Sequence, residues 1–263
     1  MYNDIKNLRD KVRINVQKAK IDFMSQSINF MIPVNITRIF EDIKESDRSW
    51  SKIEVENWID HQLPPMFERE GAVLLMYGHE AERVGFINRI KRAAWSLISA
   101  IQTNGWKIFG TEVEVRGKLV NQEISGIADL VLERGEEKAV VDLKWKGKSY
   151  RRDHIRSMED LQLVIYSKLI TGGSDWAHTA YYIMNDASLL ARNQLAFQEA
   201  EAVSPELDFR QINQEIWNKM EQTYIWRMEQ IKSGQIEIRN EVTADLIEKE
   251  MLNTQELLSL LEM

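Results

Sequence analysis

Residues 125–166 read SGIADLVLERGEEKAVVDLKWKGKSYRRDHIRSMEDLQLVIY, and this stretch decides the fold. Two runs rich in Val, Ile and Leu, ISGIADLVLERG and KAVVDLKW, meet at a polar turn around Gly135–Glu136, the pattern of a β-hairpin. Alternate residues of a strand share a face, so Asp142 and Lys144 point one way while Val141 and Leu143 point the other. Asp129 precedes Asp142 by thirteen residues, so the hairpin can set the two carboxylates side by side. Carboxylates that close repel unless a cation lies between them. With a lysine beside them they are equipped to hold a hard divalent cation and to steady charge developing on a phosphate. The plainer reading of the same residues is an exposed edge hairpin carrying a surface ion pair.

Directly after Asp142, the cations Lys144, Lys146, Lys148, Arg151, Arg152 and Arg156 fall within thirteen residues of a chain whose net charge is −7. Phosphate binding depends on where cations sit rather than on their sum, so a local basic patch on an acidic body suits a grip on nucleic acid. A solvated charged loop is the alternative. This loop, to about Ser157, leads into a predicted helix over 158–171. There Gln162 and Tyr166 stand four apart and share a face, placed either to position a phosphate or to tie the helix to the sheet. Trp145 is suited to stacking on a base or to a place in the core.

Outward from the hairpin, KIFGTEVEVRGKLV (107–120) reads as a preceding strand and HTAYYIMND (178–186) as a later one. Upstream, a helical pattern runs from about Glu68 to Thr103, with Ile87, Ile90, Ala94, Leu97 and Ile101 on one face and Gly105 as its stop. Short helices are expected before it, one capped at Ser51 with Glu54 three residues on and ended by Pro64–Pro65. Phe209–Lys232 and Thr243–Met263 read as further helices. The order helix, three strands, helix, strand predicts an α/β protein with a central mixed sheet flanked by helices. The expected organisation is a helical region over 1–66, the core over 67–240 and an amphipathic helix over 241–263.

Composition narrows the classes. The chain has 263 residues, 44% hydrophobic and 29% charged, as is ordinary for a globular protein. It has no cysteine, which excludes disulfides, thiolate zinc sites and iron–sulfur clusters. It has no apolar run of about 18 residues and opens on a polar stretch, so neither a membrane span nor a secretory leader is expected, and the expected compartment is the cytoplasm.

These motifs resemble the PD-(D/E)XK nuclease superfamily, and within it the RecB-like exonuclease branch, over roughly residues 75–185. Asp129 matches the first motif aspartate, Asp142-Leu143-Lys144 the (D/E)XK element, and Gln162 through Tyr166 the QxxxY motif. Gly78-His79 is similar to the upstream histidine motif. The resemblance implies a restriction-endonuclease-like core and Mg²⁺-dependent cleavage of DNA, with Mn²⁺ able to substitute. It also implies that His79, Asp129, Asp142 and the main-chain carbonyl of Leu143 hold the metal. Glu82, one turn after His79, is either an auxiliary ligand or a solvated glutamate. Two departures stand out: the cysteines for an iron–sulfur cluster found in many members of the branch are absent, and so is a phosphate-binding motor loop. Unwinding is therefore assigned to a partner, a helicase or another DNA-processing protein, or to another part of a larger chain. The leading expectation is an exonuclease. A structure-selective or restriction-like endonuclease and a non-catalytic DNA-binding or assembly module are the alternatives.

Overall fold

The computed structural model describes residues 37–69, 72–173 and 175–235. The charged opening segment and the leucine-rich 243–263 segment lie outside them.

A six-stranded mixed sheet in sequence order forms the centre. Strands β1 (Lys107–Leu119), β2 (Gln122–Arg134) and β3 (Glu137–Lys144) make an antiparallel meander. Strand β4 (His178–Ile183) runs parallel to β3, so the chain must cross over between them. Strand β5 (Ser188–Ala191) is antiparallel to β4, and the two-residue β6 (Glu201–Ala202) closes the edge parallel to β5. The expected three-strand meander and the strand beginning at His178 are all present. Strands β5 and β6 are additional, because runs of four and two residues are too short to show a period.

Helices cover both faces. On one lie α1 (37–46), α2 (Lys52–Arg69), α3 (Ala72–Leu75) and α4 (Glu80–Thr103). Phe86, Ile90, Ala94, Leu97 and Ile101 of α4 share a core with Leu130, Leu132, Val141 and Leu143 of the sheet and with Ile39, Phe40, Ile59 and Phe67 of the leading helices. This core runs without interruption across residue 66. On the other face lie α5 (Lys148–Ser157) and α6 (Leu161–Ile170), the crossover from β3 to β4, with α7 (Phe209–Lys232) packed against α6. Ile155 and Leu163 bury against Tyr181, Ile183 and Leu190. Burying each such side chain contributes about 1.5–3 kcal/mol.

Local signals read from the sequence are realised at several termini. Ser51 and Glu54 form a reciprocal cap on α2: the Ser51 amide donates to Glu54 Oε2 at 2.8 Å and the Glu54 amide to Ser51 Oγ at 3.4 Å. Helix α4 stops before Gly105, whose φ is +71°. Three boundaries differ from expectation. Pro64 and Pro65 lie inside α2, where burial of Leu63, Met66 and Phe67 outweighs the broken helical hydrogen bonds. The long upstream helix is interrupted at Gly78 (φ +83°), so α4 begins only after His79. The loop expected to about Ser157 is the helix α5, which buries only Arg151 and Ile155 and so carries almost no apolar period. Among the described residues no helix is long and apolar enough to cross a membrane.

Candidate active site

The β2–β3 ladder ends at the pair Leu130↔Val141. One step further the register sets Asp129 beside Asp142, as the hairpin arithmetic requires. There the strands part, and the Leu143 amide donates to Asp129 Oδ2 at 2.7 Å. A carboxylate has taken the place of a main-chain partner. Asp142 is 1% exposed, and its Oδ2 lies 3.1 Å from Lys144 Nζ, confirming that the two side chains share a face. The two are ion-paired, and apart from Lys144 no group among the described residues meets Asp142 Oδ2.

The electrostatics reflect crowding. Burial, followed by the neighbouring Asp142 charge, pushes the Asp129 carboxyl up to about 7, against the pull of Lys144 and the Leu143 amide. At Lys144 burial acts to lower the pKa, but Asp142 and Asp129 outweigh it, so the ammonium is held charged. Two adjoining buried acids faced by a single ammonium fit a hard, oxygen-seeking divalent cation. Among the described residues no group of three or more His, Asp or Glu side chains already converges into a metal cage. The fit therefore rests on the acid pair.

The helix after the hairpin reaches the same place. Tyr166 lies over Gly126 of β2, and Gln162 Nε2 donates to the Tyr166 hydroxyl at 3.3 Å. The Tyr166 phenol is raised by burial first and then by the charges of Asp142 and Asp129, which it faces. Arg151 arrives from α5, 7% exposed, with its guanidinium 5.3 Å from the ring of Tyr181, the β4 residue paired with Asp142. Its charge is felt at Lys144.

The rest of the basic cluster divides. Lys148 (3.0 Å) and Arg152 (2.5 Å) both pair with Glu201 of β6, holding the Glu201 carboxyl near 2. Arg156 pairs with Asp153 on the exposed side of α5, at 3.1 Å. Lys146 is exposed in the turn after β3. The six cations thus do not form one surface: Lys144 and Lys146 precede α5, and its ten residues turn the other four to different sides.

His79 stands at the N-cap of α4 and is 7% exposed; its Nδ1 accepts and donates no hydrogen bond and lies 3.9 Å from Glu82 Oε2. Glu82 is itself 53% exposed. Phe86, on the second turn of α4, packs on Trp145 at 5.7 Å between ring centroids, which anchors this helix to the residue following Lys144. Trp145 thus joins the margin of the core rather than standing free.

Two features escape the sequence reading. Glu112 of β1 lies opposite Asp129, a relation available by counting outward from the β1–β2 turn at Val120–Asn121. Asp160 and Arg192 form a buried ion pair at the start of α6, and no local pattern marks a partnership across 32 residues.

The chain belongs to the PD-(D/E)XK nuclease superfamily: the family model matches residues 38–243, most of its length. No curated protein matches it. Among solved structures it is similar to a crystal structure from Eubacterium rectale named "Putative exonuclease", with 12% identity and a TM-score of 0.39 over 81% of this chain and 74% of that one.

Proposed function

We propose that this nuclease is a metal-dependent deoxyribonuclease of the RecB-like branch that degrades DNA from its ends. The observation carrying the reading is the placement of Lys144 Nζ 3.1 Å from the buried Asp142, beside Asp129, at the point where β2 and β3 part. The DNA and exonuclease assignments rest on the (D/E)XK element together with Gln162 and Tyr166 on the adjoining helix.

In this reading Asp129, Asp142, the Leu143 carbonyl and His79 hold Mg²⁺, for which Mn²⁺ substitutes; bound there, the ion supplies Lewis acidity toward the phosphate and the attacking water. The residues do the remainder. Lys144, kept as an ammonium by its acidic neighbours, stabilises charge growing on the phosphate. Arg151 adds a second buried cation on the same side. Gln162 and Tyr166, already hydrogen-bonded to each other, orient the phosphate from α6. Lys146, Lys148, Arg152 and Arg156 contribute to backbone binding, with Lys148 and Arg152 exchanging Glu201 for phosphate.

End-labelled linear duplex, single strand and a closed circle, each with Mg²⁺, Mn²⁺ or EDTA, test this. Metal-dependent loss of linear DNA that spares the circle and vanishes in Lys144→Ala is the expected result. Cutting of the circle would make the protein an endonuclease. Binding without cleavage in any metal would make it a non-catalytic DNA-binding module.

A further inference from the structure

We propose that Glu201 is an internal stand-in for a substrate phosphate, seated between Lys148 and Arg152 until DNA displaces it, so that its carboxylate limits how tightly DNA is held. The inference rests on the DNA-cleaving reading above. Lys148 and Arg152 stand four apart on α5 and so share a side of that helix. Between them they take both oxygens of one carboxylate: Arg152 Nε donates to Glu201 Oε1 at 2.5 Å, and Lys148 Nζ lies 3.0 Å from Oε2. A phosphodiester presents the same single charge and a similar pair of oxygens.

Three features suit this clamp to an exchange of anions. Glu201 is fixed by its backbone: it pairs with Leu190 in the sheet, and the amides of Val203 and Ser204 donate to the Ala191 and Arg192 carbonyls, each at 2.9 Å. The two cations instead reach it on long side chains 30% exposed, and Glu201 itself is 38% exposed, so a ligand has access to all three. Arg152 spends only its inner nitrogen on Glu201; among the described residues its two outer nitrogens make no hydrogen bond. Asp153, the other acid acting on Arg152, is taken by Arg156 at 3.1 Å. Two cations thus share one acid, with donors left for further oxygens.

Helix α5 joins the clamp to the acid pair. Arg151, between the two cations in sequence, turns inward to Tyr181, the β4 residue paired with Asp142, and its charge is felt at Lys144. Lys148 opens the helix four residues after Lys144. A strand leaving the acid pair along α5 meets the clamp at the start of the helix, where it must displace a fixed carboxylate that also repels it.

Anisotropy of a labelled single-stranded DNA, in EDTA to prevent metal-dependent cleavage, tests the assignment. Glu201→Gln should bind about fivefold more tightly, and the slope of log affinity against log salt should steepen by about 0.7, as for one further phosphate on a single strand. Glu206→Gln, an equal loss of charge at an exposed position five residues on, should stay within about twofold of the unaltered protein. Adding Lys148→Ala and Arg152→Ala to Glu201→Gln should abolish the gain. Partly exposed ion pairs add little stability, so Tm should hold; Glu201→Asp, which keeps the charge on a shorter reach, should give a smaller gain of the same sign. Unchanged or weaker binding in Glu201→Gln and Glu201→Asp would overturn the proposal, as would a gain that survives loss of both cations. Failure of the unaltered protein and of Glu201→Gln alike to bind DNA would instead overturn the DNA reading itself, and this inference with it.

Discussion

Tyr166 rests against the Cα of Gly126 so closely that a β-carbon there would lie 2.6 Å from its ring carbon Cε1. The contact fixes the distance between α6 and the strand that carries Asp129. Gly126→Ala should therefore displace the phenol and cost about 1–3 kcal/mol, as overpacking of a closed interface does. Urea unfolding measures the cost; an unchanged midpoint would show that α6 can retreat freely.

Lys144→Ala should lower cleavage by about 100-fold or more, the loss typical of a preorganised charge at a reacting group. It should also reveal the burial of Asp142. In EDTA the variant should melt below the unaltered protein, because an almost wholly buried carboxylate has lost its ammonium neighbour. Excess Mg²⁺ should close most of that gap. A thermal melt with and without chelator decides it.

The Asp129 carboxyl, raised to about 7, makes the metal-free protein lose stability as pH rises from about 4 toward neutrality. A carboxyl whose folded pKa lies above its unfolded one stabilises the fold fully below about pH 4. That contribution fades as pH climbs through about 7, since the crowded site resists ionisation. Stability in EDTA should therefore fall between pH 5 and pH 8, and Asp129→Asn should flatten the profile while still accepting from the Leu143 amide. An identical pH dependence in the two proteins would remove the assignment.

Arg192, 3% exposed, pairs with Asp160 and also donates to the Ile155 carbonyl at 3.2 Å, so one guanidinium holds the junction between α5 and α6. Burial pushes the Asp160 carboxyl up even so, with Arg192 opposing. Arg192→Met alone strands a buried acid and should cost about 3–5 kcal/mol. Adding Asp160→Leu should restore much of it. Denaturant midpoints of the two variants give the comparison.

What the sequence disclosed and what it hid follow from range. Asp129, Asp142 and Lys144 were legible because a hairpin converts spacing directly into adjacency, and a strand's period of two fixes the face. Phe209–Lys232 was legible because its apolar period is long. Helix α5 was not, since it buries a single isoleucine and one arginine. The neutralisation of Lys148 and Arg152 depends on Glu201, about fifty residues away on an edge strand two residues long. The interior position of Pro64–Pro65 depends on a core assembled from four helices and a sheet. Pairings of that kind belong to tertiary packing, on which neighbouring residues carry no mark.

The bond from the Leu143 amide to Asp129 gives that aspartate a second occupation, since it fastens the end of a strand as well as standing in the acid pair. Lys144 makes no main-chain bond of that kind; its tie to the fold is the ion pair with Asp142, which the cation of the proposed site would replace. A gene copy released from selection for catalysis would thus be expected to shed its lysine early and keep an Asp or Asn at position 129 long afterwards. In a decayed descendant, the surviving acid would be a relic of folding, and the missing amine the true record of when the chemistry stopped.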